Sequence, residues 1–264
     1  MNLRKEQVLG IEVVTEDFDT IFRELANLMD SNFDSLPVVM ACANPHALVS
    51  ATELPEFHKA LKSFQIIVPD GIGVVIASRL RGGEIKRRLP GPDFFENFCR
   101  YLEKIGRSYG HFFLGSTEET LQKIVERFSK EFPQQKVVGT YSPPFVKSLY
   151  FEENENNKIL QAIESAKPEI LWVGLTAPKQ EIWIYQNLGH LKEMGVRFAG
   201  AIGAAFDWFA GVKKRSPKFF RAIGLEWLPR LILEPKRLWK RVFVSGPKFF
   251  YFYFKDLSGK IRRG

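Results

Sequence analysis

Gln65-Ile66-Ile67-Val68-Pro69-Asp70-Gly71-Ile72-Gly73 carries the pattern that decides the fold. A short β-branched run reads as a buried strand. Pro69 and Gly71 then turn the chain toward a helix, and a carboxylate, Asp70, stands in the turn. The same unit recurs outward in both directions. Toward the N-terminus, residues 8–14 and 37–42 read as strands. Between them Phe18, Ile21, Phe22, Leu25 and Leu28 recur at helical spacing over 17–29. Toward the C-terminus, strands are expected at 111–114, 136–138, 170–173 and 197–201, with helices at 117–131, 152–166 and 179–191. Strands alternating with helices predict an α/β fold, a Rossmann-like and mostly parallel sheet with helices on both faces. No internal repeat or low-complexity linker interrupts it. The expectation is one α/β domain over 1–212, followed by a basic helical C-terminal appendage over 213–264.

Charge marks that division. The chain has 264 residues and a net charge of +8. Residues 213–264 hold 15 Lys/Arg and 3 Asp/Glu, a net of +12, and 1–212 hold 23 and 27, a net of −4. A basic segment of this kind implies a polyanionic partner, nucleic acid or anionic lipid. Two cysteines, Cys42 and Cys99, are too few for a disulfide framework and suit a reducing cytosol; Cys99 reads as a small core residue. The first residues have no apolar run of the secretory kind, and no stretch is long and apolar enough to span a bilayer.

In parallel sheets ligands bind beyond the carboxyl ends of the strands. Several clusters fall there: Asn44, Asp70 with Gly71 and Gly73, Gly115-Ser116-Thr117, Gly174 through Glu181, and Gly203 through Asp207. Asp70 suits a general base for an acceptor hydroxyl, and equally a helix N-cap. Of Arg79, Arg81, Lys86, Arg87 and Arg88, most read as a solvated loop, but a guanidinium there would hold a diphosphate bidentately. Asp93 reads as a helix start at Phe94. Lys179, beside Pro178 at a helix start, suits a phosphate; Gln180 suits a sugar or base, or a cap with Glu181. Asp207, between Phe206 and Trp208, reads as partly buried and in need of a partner. His46, His58, His111 and His190 lie at no ligand-like spacing and read as surface or capping residues, so no metal site is assigned. HExxH, a nucleophile elbow, a Walker loop and a complete GxGxxG are all missing, which counts against hydrolases, NTPases and dehydrogenases.

On a helical wheel Lys236, Arg237, Lys240 and Arg241 share one face, and Leu238, Trp239, Val242 and Phe243 the other. Ser216-Pro217 would cap a helix running from Phe219 through Leu231. Residues 249–254 are unbroken Phe and Tyr. A cationic amphipathic helix with Trp and Phe on its apolar side is the mark of an interfacial membrane helix. Nucleic acid fits less well, since base-stacking aromatics would not lie opposite the cations.

Taken in order, these clusters resemble the WecG/TagA/CpsF glycosyltransferases, glycosyltransferase family 26. The resemblance rests on Asn44, residues 69–73, Gly91 and Asp93, Gly139-Thr140, Gly174 with residues 178–181, and Gly203 with Phe206-Asp207. It is densest over 211–241, with Lys214-Arg215-Ser216-Pro217, Leu225-Glu226-Trp227, Arg230, Glu234-Pro235 and Arg237. It implies inverting, metal-independent transfer, with no cofactor, from a UDP-sugar to a polyprenyl-diphosphate-linked saccharide in cell-surface polysaccharide synthesis. Members transfer N-acetylmannosamine, glucuronic acid or further hexoses.

By the same resemblance Asp70 is the general base, Asn44 contacts the sugar, and Arg88 steadies the diphosphate. Cys42, Gly71, Gly73, Gly91, Asp93, Gly115, Gly174, Lys179, Gln180 and Asp207 line the donor pocket. Arg215, Arg221, Arg230, Arg237, Trp239 and Arg241 serve the acceptor diphosphate and the anionic membrane surface. The protein would then be cytoplasmic and peripheral on the inner face of the plasma membrane, without a nucleic-acid partner, and with room for a homo-oligomer. Two departures bear on the sugar: Cys42 stands where members often have Thr, and Tyr141-Ser142-Pro143-Pro144-Phe145 replaces an Asp-Gly-Tyr-like turn. Competing readings are a nucleotide-binding α/β oxidoreductase, which the alternation alone supports, and a non-enzymatic membrane adaptor, which rests on the tail alone.

Overall fold

The computed structural model describes residues 1–31 and 35–261, without the side chains of Ala222, Arg237 and 256–261. Six strands form one parallel sheet in the order β4-β3-β8-β7-β5-β6. They are β3 (Val38–Ala43), β4 (Ile66–Pro69), β5 (Gly110–Gly115), β6 (Lys136–Tyr141), β7 (Ile170–Gly174) and β8 (Phe198–Ala201). The central strands are apolar along their length because both faces are covered, as a parallel sheet requires.

Alternate residues serve opposite layers. Val39, Ala41, Leu114, Leu171 and Val173 face one core, built with α2 (Pro45–Glu53), α3 (Pro55–Ser63), α4 (Ile72–Leu80), α7 (Glu153–Ala166) and α8 (Lys179–Gln186). Val38, Met40, Phe113, Ile170 and Trp172 face the other, with α1 (Phe18–Ser31), α5 (Gly91–Lys104), α6 (Glu118–Glu131) and α10 (Ala205–Phe209). That second core is aromatic: Phe95 packs edge-on against Trp172, Phe113 and Phe209 at ring separations of 4.9, 6.1 and 5.0 Å. Such pairs add roughly 0.5–1.5 kcal/mol each beyond burial. Cys99 is fully buried within it.

Four expectations need correction. Residues 8–14 are not one strand: β1 (Lys5–Val8) and β2 (Ile11–Val14) form an antiparallel hairpin outside the main sheet. Leu9 and Gly10, at φ +50° and +79°, make the two-residue turn. The helix expected over 179–191 is interrupted at Asn187, where α8 gives way to α9 (Leu188–Glu193). His111 is neither a surface nor a capping residue. It lies fully buried in β5, accepting from Trp172 Nε1 at 3.0 Å with Gln135 Oε1 3.2 Å from its Nε2, and burial holds its pKa down to about 4.

The fourth correction concerns the tail. The helix expected through Phe219 and Leu231 is two, α11 (Lys218–Ala222) and α12 (Trp227–Leu233). Gly224 separates them at φ +79°, where a Cβ would stand 2.8 Å from Ile72. Next come α13 (Pro235–Trp239), a π-helical segment over Lys240–Ser245, and α14 (Gly246–Ile261). The wider i→i+5 winding breaks the wheel. Leu238 is 5% exposed, while Trp239 and Phe243 are 57% and 49% exposed, so the apolar arc splits between body and solvent. The tail is joined to the body: Phe249 and Tyr253 of α14 are fully buried in the core over α2 and α4. Among the described residues no helix is long and apolar enough to cross a membrane.

Candidate active site

The strand order brings the ends of β4, β3, β8, β7 and β5 along one rim, and the clusters read from the sequence follow those strands. At β3 and β4 the loops are knit together. Asp70 N–H donates to Ala43 O at 2.9 Å, and Leu89 N–H to Pro69 O at 2.7 Å, which brings Arg88 back beside Asp70. Asn44 caps α2, its Oδ1 accepting from Ala47 N–H at 3.0 Å. Gly71 and Gly73 make this junction sterically feasible, since a Cβ on either would lie 2.6–2.7 Å from Pro45. Their smallness thus serves packing of α4 against α2. At Gly91 a Cβ would lie 2.8 Å from Cys42 Sγ. Burial pushes the Cys42 thiol up, and the carboxyls of Asp70 and Glu181 push it further, so it stands neutral between two acids.

The tail supplies the other side. Arg88 Nη2 donates to Arg221 O at 2.7 Å and Nη1 lies 3.5 Å from Asp70 O. Glu226, 7% exposed, meets Arg88 at 3.7 Å and Arg215 Nε at 3.0 Å. Arg215 also pairs with Asp93, whose helix begins at Gly91 rather than Phe94. The Arg230 and Arg215 guanidinium groups lie 4.7 and 5.6 Å from the Trp208 ring. Buried Arg215 Nη2 and Arg221 Nε find no hydrogen-bond partner among the described residues. Two such guanidinium donors next to Arg88 have the chemistry to bind an oxyanion.

Electrostatics single out Asp70. Burial raises its carboxyl most, Glu226 raises it further, and Arg88, Arg230 and Arg215 pull it back, leaving a pKa of about 6. A carboxylate of that strength is ionised at neutral pH yet basic enough to take a proton in a transition state.

Elsewhere the placements vary. Asp207 is engaged by Lys213 at 2.7 Å and by Ser116 Oγ at 3.4 Å. Gly115, at φ +118°, lies against the backbone of Gly174, and Gly174 against Phe206. Lys179 turns outward, donating to Ser148 O at 3.2 Å with its ammonium 3.7 Å above the Phe151 ring. Gln180 and Glu181 are buried together, Nε2 to Oε1 at 2.9 Å. In the basic loop Arg79 and Lys86 bond to backbone carbonyls of that loop, and Arg81 lies over Tyr253. Arg241 is half-buried near His46, Trp239 faces solvent, and the Arg237 side chain lies outside the described residues.

Sequence reasoning gave Glu226 and Trp208 no chemical role. Glu226 is one of three acids among 15 cations in 213–264. That scarcity is the signal, because one of few acids in a basic tail is where a specific ion pair is to be sought.

The model of the "Glycosyl transferase WecG/TagA/CpsF family" matches residues 6–263. The chain is also similar to proteins named N-acetylglucosaminyldiphosphoundecaprenol N-acetyl-beta-D-mannosaminyltransferase. It is 34% identical to that of Bacillus spizizenii over 78% of this chain and 75% of the relative. For Bacillus subtilis the figures are 32%, 84% and 81%, and for Staphylococcus aureus 27%, 95% and 92%. A parallel α/β sheet with a carboxylate and arginines at its rim, continuous with a basic tail, and a match spanning both, leave no place for the oxidoreductase or adaptor readings: the chain belongs to the WecG/TagA/CpsF family of glycosyltransferases.

Proposed function

We propose that this protein transfers a sugar, with inversion and without a metal, from a UDP-sugar to a polyprenyl-diphosphate-linked saccharide in cell-surface polysaccharide synthesis. The observation that carries the mechanism is Asp70 at the end of β4 beside Arg88, its carboxyl raised by burial and drawn back by Arg88, Arg230 and Arg215 to a pKa of about 6. Asp70 takes the proton of the acceptor hydroxyl as its oxygen attacks the anomeric carbon. The bond to the donor phosphate breaks on the opposite side, and its electron pair leaves on UDP. Arg88, with Arg215 and Arg221, takes up the charge that develops there, fixed in a partly dehydrated site where such donors act strongly. Asn44 and Gln180 contact the donor sugar, and Asp207 the rest of the donor. The relatives' names make N-acetylmannosamine the first sugar to test and an N-acetylglucosaminyl diphosphate lipid the first acceptor; glucuronic acid and other hexoses follow.

The appendage, residues 213–264, closes over this site and rests on the inner face of the plasma membrane. What supports this is the +12 charge together with exposed Phe219, Ile232, Leu233, Trp239, Phe243, Tyr251 and Phe254. Apolar groups left in water on a basic segment gain both by burial in lipid and by attraction to anionic headgroups. Product analysis with a panel of UDP-sugars and a synthetic prenyl-diphosphate acceptor tests the reading. A new glycosidic bond with release of UDP is expected, and no product from any donor would refute it.

A further inference from the structure

Glu181 has no role in the mechanism above, yet its surroundings are those of a binding group. It lies in the first turn of α8 directly after Gln180, and the two are 2% and 4% exposed. One hydrogen bond joins them, Gln180 Nε2 to Glu181 Oε1. The two remaining oxygens, Gln180 Oε1 and Glu181 Oε2, are buried and have no hydrogen-bond partner among the described residues. Buried polar atoms in proteins are nearly always satisfied, so a neighbouring orphaned pair points to a ligand that supplies the missing contacts.

The position of the pair narrows the ligand. A Cβ on Gly203 would lie 3.6 Å from Gln180 Oε1, which places the amide at the end of β8. Glu181 and Asp70 both act on the Cys42 thiol at the end of β3. The pair therefore lies where the β3 and β8 ends meet, with Cys42 between Glu181 and the general base. A diphosphate suits this pocket poorly: among the described residues no cation acts on the Glu181 carboxyl, which burial lifts to about 7, whereas the arginines gather at Asp70. A carboxyl of that strength donates as well as accepts near neutrality, which suits a hydroxyl.

We propose that Gln180 and Glu181 together recognise the polar ring substituents of the transferred sugar, hydroxyl or acetamido N–H, with Glu181 the specificity-determining contact. This rests on the reading of the chain as a UDP-sugar transferase. The test is the ratio of two affinities, for UDP and for UDP-N-acetylmannosamine, measured by calorimetry on the full chain. Glu181→Leu, close in volume and without oxygens, is expected to weaken UDP-N-acetylmannosamine about ten-fold or more while UDP changes less than about two-fold. Glu181→Gln, nearly isosteric, is expected to move the ratio in the same direction by less, and its retained UDP binding shows that it is folded. An unchanged ratio in both variants, or equal loss of both ligands, overturns the inference. Wild-type protein that binds neither ligand would instead bring down the UDP-sugar reading beneath it.

Discussion

The molecule has two aromatic-rich regions, and they treat the same residue types in opposite ways. Beneath the sheet Phe94, Phe95, Phe98, Phe113, Phe128, Phe198 and Trp172 are at most 1% exposed and lock one another edge to face. In the tail Phe219, Trp239, Phe243 and Tyr251 are 49–67% exposed, although Trp239 and Phe243 sit 4.5 Å apart and Phe249 and Tyr253 nearby are wholly buried. The first set is spent on stability. The second is held in place by its buried neighbours but contributes little to folding, so its worth is realised only against another apolar surface.

The largest effect that would break this contrast is in the core. Phe95→Ala should cost about 3–5 kcal/mol of unfolding free energy in denaturant titration, whereas Trp239→Ser with Phe243→Ser should leave it nearly unchanged. In flotation with anionic liposomes the order should reverse. The double variant should lose binding about ten-fold or more, with each aromatic worth roughly 1.5–3 kcal/mol when fully buried, and Phe95→Leu should bind normally. Equal liposome binding by wild type and the double variant would contradict the division.

Smaller effects sharpen the contact between the regions. Glu226 raises Asp70, so Glu226→Gln should move the acid limb of kcat/KM below its wild-type position near pH 6, by several tenths of a unit to about one unit. A limb that stays in place would detach the tail from the chemistry. The effect of His111, buried in the core, is confined to stability at low pH. Its folded pKa of about 4 lies below the free value of 6.5. Above pH 6.5 it is neutral in both states and costs nothing. As pH falls from 6.5 to 4 the unfolded chain takes a proton that the folded one refuses, and stability drops by up to roughly 3 kcal/mol. His111→Asn should flatten that slope in urea melts across this window.

Much of this was readable in advance, for physical reasons that differ by element. The parallel sheet was legible because strands covered on both faces must be apolar along their length, as in 38–43 and 170–173. Asp70 was legible as punctuation at a strand end, while Arg88 could not be told from its four basic loop neighbours by pattern alone and Gly91 entered only through the family resemblance. The hairpin over 5–14 was hidden because Leu9, not a usual turn former, holds φ +50° beside Gly10. The splitting of the tail's apolar arc was hidden because a π-helical segment leaves no mark in hydrophobic periodicity. Glu226 and Glu181 were hidden because their roles depend on partners 138 and 139 residues away, Arg88 and Cys42.

If Asp70 is the base of a sugar transfer, its amide variant must lose turnover and keep the donor site. Asp70→Asn is compared with wild type for initial rate of transfer to a prenyl-diphosphate acceptor and for UDP affinity. A rate loss of about 10²–10⁴-fold or more is expected, with UDP binding intact. Turnover at the wild-type rate would contradict it.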